Sequence, residues 1–138
     1  RAVRIDKMGL AALSATLTSF LKEKAHEEIP VWRMISMSLD TITKTAEGWL
    51  KEIDSPAVGL REGQSTVGGG SLPGETLATT LLAITPPDSP DAFARRLRSS
   101  PTPVIARIED EVVVLDPRTV SDGQSAAVVE AVKSALKA

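Results

Sequence analysis

The sequence predicts an α+β fold, a two-layer sandwich of a small, mainly antiparallel sheet with helices on one face, preceded by two long helices. Three observations carry this. Through the first 54 residues apolar side chains recur at spacings of three and four, the helical period. Beyond residue 55 they gather into short runs bounded by Gly, Pro, Asp and Ser, as strands do. Two later stretches return to helical spacing, which interleaves helices with the strands. The division follows: residues 1–54 form a helical segment and residues 55–138 a small α+β domain.

The elements come in this order. Asp6 is a good N-cap, and Leu10, Leu13, Leu17, Phe20 and Leu21 fall on one helical face, so the first helix is predicted to run to about Lys24. KEKAHEE (22–28) is polar. Pro30 suits the first turn of a second helix, in which Ile35, Leu39, Ile42, Ala46, Trp49, Leu50 and Ile53 recur in one continuous pattern ending before Ser55 and Pro56. Six of the nine glycines then fall between Gly59 and Gly74, where AVGLR (57–61) and QSTV (64–67) are short strand candidates and LATTLLAIT (77–85) a longer one. Asp88, Ser89, Pro90 and Asp91 make a helix start, with Phe93, Ala94 and Leu97 as the inner face. PVIARIEDEVVVLD (103–116) reads as two strands around a tight turn at Asp110 and Glu111. The turn lacks the favoured Asn-Gly or Asp-Gly pair, which leaves its type open. A last helix starts near Ser121 and carries Val128, Val129, Val132 and Leu136 on one side.

Composition narrows the chemistry. Aromatics are 3% of the chain, so the core must be aliphatic. There is no cysteine, which removes disulfides and thiolate metal sites. The single histidine, His26, cannot build a histidine metal cluster and reads as a solvated loop residue. A net charge of −2 leaves no electrostatic footprint for strong nucleic-acid binding. No apolar run approaches the length of a membrane span, and no signal-peptide pattern opens the chain. RAVRIDK at the start reads like the middle of a protein, so a processed or excised piece is expected.

Several features could carry chemistry. VGGGSLPGETL (67–77) could be a flexible linker, a phosphate cradle or a shaped turn. The P-loop pattern is absent, and Leu72 and Pro73 restrict a backbone that a linker would leave free. Arg1 and Arg4, three apart ahead of a helix, could grip a phosphate or carboxylate, or could belong to a solvated terminus. Arg95, Arg96 and Arg98 read as a solvent-facing basic cluster. Glu109, Asp110 and Glu111 belong to a turn rather than to an acid/base pair. Arg107, inside an apolar strand pattern, is either an edge residue pointing out or the partner of an anion.

Four blocks in order, RAVRIDKMGLAALSATL (1–17), IPVWRMISMS (29–38), STVGGGSLPGETL (65–77) and LR with PTPVIARIEDEVVVLDPRTV (97–98 and 101–120), resemble the C-terminal portion of the bacterial selenocysteine synthases, the L-seryl-tRNA(Sec) selenium transferases. The resemblance implies the small C-terminal domain of a fold-type-I pyridoxal phosphate (PLP) enzyme, with the first helical segment joining it to the PLP-binding domain. It implies a cytoplasmic homo-oligomer that converts seryl-tRNA(Sec) to selenocysteinyl-tRNA(Sec) with selenophosphate, PLP acting as the electron sink. The cofactor lysine would lie upstream of Arg1, leaving none of the seven lysines here in that role and the isolated chain inactive. Arg1 and Arg4 would hold selenophosphate, with lesser parts for Ser71 and Arg107, and 67–77 would be a shaped turn. The sequence departs from the family's usual residues at Ala106, at Asp110 and Glu111, and at Pro117. Two other readings of the same residues are a paralogous PLP lyase or transferase and a stand-alone interaction or oligomerisation module. The apolar face of the first two helices is expected to pack on another domain or subunit.

Overall fold

In the computed structural model, which describes residues 4–68, 74–121 and 123–137, the chain forms two compact units, Arg1–Met37 and Ser38–Ala138.

The first unit holds α1 (Lys7–Leu21), α2 (Ala25–Glu28) and α3 (Pro30–Ser36). Asp6 caps α1, its Oδ1 accepting from Met8 N at 2.8 Å and Gly9 N at 2.9 Å. The helix stops at Leu21, short of Lys24, because Glu23 turns into the left-handed region at φ 58°. His26, read as a loop residue, lies exposed in α2. None of the three helices has a buried residue.

The continuous second helix expected from Pro30 to Asp54 is two helices. Met37 is extended, and Ser38 Oγ accepts from Thr41 N at 3.2 Å to cap a new helix, α4 (Leu39–Ile53). A serine side chain competes for backbone bonds in just this way, so the periodic apolar pattern runs through a break. Grouped by sequence with the first helices, α4 packs against the sheet of the second unit.

That unit continues with β1 (Val58–Thr66), β2 (Thr76–Ile84), α5 (Pro90–Arg98), β3 (Arg107–Glu109), β4 (Val112–Leu115), a 3-10 turn (Pro117–Thr119) and α6 (Ser125–Lys137). The sheet order is β1-β2-β4-β3, and all three pairings are antiparallel. The two short strand candidates at 57–67 are one strand. Gly63 does not break it: a Cβ there would stand 2.5 Å from Leu81 Cδ1 and 2.9 Å from Cγ, so the missing side chain is the space Leu81 occupies. Asp110 and Glu111 both have positive φ, 51° and 62°, the type I′ signature, adopted without the Asp-Gly pair that favours it.

Residues paired across strands share a face. Val58, Leu82, Ile84, Val113 and Leu115 fall on one face by register and join Trp49 and Ile53 of α4, Phe93 and Leu97 of α5, and Val128, Val129, Val132 and Ala135 of α6 in one core. All three helices therefore cover the same side. Of the basic cluster on α5, Arg95 and Arg98 are exposed. Arg96 is not the solvent-facing residue expected. It grips Asp88 with two bonds of 2.7 and 2.9 Å, donates from Nε to Ala135 O at 3.1 Å, and stacks 5.3 Å from the Phe93 ring centre.

Two measurements check this account. Gly63→Ala should cost about 1–3 kcal/mol in denaturant unfolding, as overpacking does, and much of that penalty should vanish in a Leu81→Ala background. The hydrogen bond from Arg96 lowers the Asp88 pKa below its ordinary 3.8. A depressed folded pKa gives stability that is present above the unfolded value and lost as pH falls through the folded one. Acid titration of stability should therefore show a component below about pH 4 that Asp88→Asn removes.

Candidate functional site

On the sheet face away from the helices, Ser65, Thr79, Asp116 and Arg118 are the buried polar side chains among the described residues, and they form one network. Strand alternation points Ser65 of β1 and Thr79 of β2 to that face, and Asp116 follows β4 with the same parity. Asp116 Oδ2 accepts from Ser65 Oγ at 2.6 Å, and Oδ1 from Thr79 Oγ1 at 2.9 Å and Arg118 N at 3.0 Å. The last bond caps the 3-10 turn, which carries the Arg118 side chain back over the hairpin. There its Nε donates to Ser65 Oγ at 3.2 Å and its Nη2 to Ala78 O at 2.7 Å. The network thus joins β1, β2, the end of β4 and the turn.

It lies at the base of the β1–β2 hairpin, whose loop is the glycine-rich segment. Val67 N–H donates to Glu75 O at 3.3 Å across the loop's neck, and Gly68 and Gly74 have φ of 126° and 85°, conformations that favour glycine. The segment therefore connects paired neighbours in one sheet, and the linker reading is set aside. On its other side the network borders a cleft of about 300 Å³ edged by Val104, Leu115, Asp116, Thr119 and Gln124.

Further along the same face, Arg61 of β1 forms an ion pair with Glu109 of β3, and Arg107 Nη2 lies 3.2 Å from Glu109 Oε1. Since β1 and β3 are the two edges of the sheet, the Arg61 and Glu109 side chains reach towards each other over β2 and β4. Arg107 resolves as an exposed edge residue whose anion is Glu109 from its own strand. Arg4 is exposed in the segment ahead of the Asp6 cap. Arg1 and Ser71 lie outside the described residues. Sequence reasoning missed all four network residues. A faint signal existed: Ser65 and Thr79 share the strand parity opposite to Val58, Leu82 and Ile84, and Asp116 precedes a Pro-Arg pair where a strand ends.

None of the seven lysines is buried, and none borders this cleft. Among the described residues no group of His, Asp and Glu could hold a metal ion. No helix among them is long and apolar enough to cross a membrane.

A four-stranded sheet with helices on one face and a buried polar network on the other defines an open-faced α+β module. The particular family follows from comparison: the chain belongs to the L-seryl-tRNA selenium transferase (SelA) family, whose model matches residues 1–121. It is 39% identical to the L-seryl-tRNA(Sec) selenium transferase of Nitratidesulfovibrio vulgaris, over 99% of this chain and 30% of that protein. The enzyme of the same name from Solidesulfovibrio magneticus is 42% identical over 90% of this chain and 28% of its own length. That of Geotalea daltonii is 41% identical over 96% and 30%. The chain spans about 30% of the length of these curated relatives.

Asp116→Ala should cost about 2–4 kcal/mol, because it leaves the hydroxyls of Ser65 and Thr79 and the Arg118 amide without their shared acceptor. Ser65→Ala, which removes one side chain between Asp116 and Arg118, should cost about 1–2 kcal/mol. Chemical denaturation of the two variants checks the order.

Proposed function

We propose that this chain is the C-terminal portion of a PLP-dependent L-seryl-tRNA(Sec) selenium transferase that makes selenocysteinyl-tRNA(Sec) from seryl-tRNA(Sec) and selenophosphate. The family match across residues 1–121 carries the reading, since it includes the opening RAVRIDK motif. In this reading residues 55–138 are the small domain of a fold-type-I enzyme, and residues 1–54 join it to the PLP-binding domain, their last helix, α4, packing on the small domain's sheet. The protein works in the cytoplasm as a homo-oligomer.

PLP, when bound, supplies an electron sink for loss of the serine hydroxyl. No lysine here is buried, which supports placing the cofactor's lysine in another part of the longer protein, so the isolated chain carries out no turnover. The task left to this chain is binding and positioning. Arg4, exposed and ahead of a capped helix, is free to turn its guanidinium to an anion, and with Arg1 it grips the selenophosphate oxygens. A second arginine matters because selenophosphate carries more than one negative charge. Ser71 and Arg107 have lesser parts, and the engagement of Arg107 by Glu109 weighs against a direct one.

In the longer protein, Arg4→Ala should raise the KM for selenophosphate about 10–100-fold, the worth of a charge-assisted hydrogen bond, while seryl-tRNA(Sec) affinity changes little. Steady-state kinetics with each substrate varied in turn would sink the assignment if the selenophosphate KM stayed within twofold, the scale of a surface charge effect.

A further inference from the structure

The first helix ends in a cap with the wrong residue for the job. Lys24 N–H donates to Ser19 O at 2.9 Å and Glu23 N–H to Phe20 O at 3.0 Å, the paired bonds of a Schellman motif. The left-handed position of that motif normally belongs to glycine, and here it is Glu23 at φ 58°. An L side chain is strained there. Its carboxylate has no hydrogen bond or ion pair with the described residues.

Glu23 borders a notch of about 270 Å³ together with Phe20, Ala25, His26, Trp32 and Ser36. The rings of Phe20 and Trp32 stand edge to face, their centroids 6.3 Å apart and their planes at 87°. They are 46% and 44% exposed, in a chain with only four aromatic residues. The α1 side of the notch is held by Ser19 Oγ, which donates to Glu28 Oε2 of α2 at 2.7 Å.

Two half-open rings beside an unpaired carboxylate complement a flat, weakly hydrated cation. A guanidinium stacks on an aromatic face and donates to a carboxylate at once. A nucleobase would also stack, but no lysine or arginine borders the notch to meet its phosphate, and Glu23 repels one. We propose that this notch is a docking site for an arginine side chain of a protein partner, with Trp32 as the stacking platform and Glu23 as the counter-ion. The proposal does not rest on the selenium-transferase reading.

The test uses the 138-residue chain labelled with ¹⁵N, following the Trp32 indole signal, with buried Trp49 as the internal reference. The probes are N-acetyl-arginine amide, its uncharged citrulline counterpart and adenosine monophosphate. The arginine probe should shift Trp32 in a saturable way, and citrulline should bind about fivefold more weakly or worse. Glu23→Gly separates binding from structure. Glycine relieves the left-handed strain, so the thermal midpoint should hold or rise, while arginine affinity falls about fivefold. Trp32→Leu should abolish binding with the helical circular dichroism unchanged. The proposal is overturned by an unshifted Trp32, by citrulline binding as well as arginine, by tighter binding of the nucleotide, or by undiminished affinity in Glu23→Gly.

Discussion

The carboxylate of Asp116 is the constraint on which the second unit turns. It accepts from a hydroxyl on β1, a hydroxyl on β2 and the backbone of the turn that follows β4, so three stretches far apart in sequence share one acceptor. A buried acceptor of this kind is costly unless all its bonds are made, and an apolar substitute could pack without it. What the network adds is direction. It returns the chain from β4 over the hairpin, seats Arg118 against Ser65 and Ala78, and holds the neck from which the glycine-rich loop leaves.

The two faces of the sheet use different physics. One is aliphatic and covered by three helices, and the scarcity of aromatics is met there by interdigitated Val, Leu and Ile around a single Phe and a single Trp. The other has no helix from its own unit's core. It buries Leu81 and Val114 and carries the ion pair between Arg61 and Glu109 of the two edge strands. Gly63 belongs to the same economy of space, since its absent Cβ is where Leu81 fits.

The first unit is organised differently. Its helices follow one another closely, α1 capped by Asp6, yet none buries a residue, and Met8, Leu10, Leu13, Leu17 and Phe20 remain exposed. Local signals suffice to make such helices, whereas an apolar core needs a second surface. The relatives are more than three times as long as the stretch matched here, so their remaining length is large enough to provide one.

Sequence by itself determined the α+β class, the cap at Asp6, the helix start at Asp88 to Asp91, the hairpin at Asp110 and Glu111, and the family, because each rests on spacing or on neighbouring residues. Only the tertiary structure decided that Ser38 interrupts a continuous apolar period, that α4 joins the sheet, and that Arg96 is a tie between helices. It also decided that Ser65, Thr79, Asp116 and Arg118 meet. Strand alternation tells which residues share a face, but which face the helices will cover, and which distant hydroxyl will find a carboxylate, depends on how the strands are ordered, and that order is a property of the packed whole.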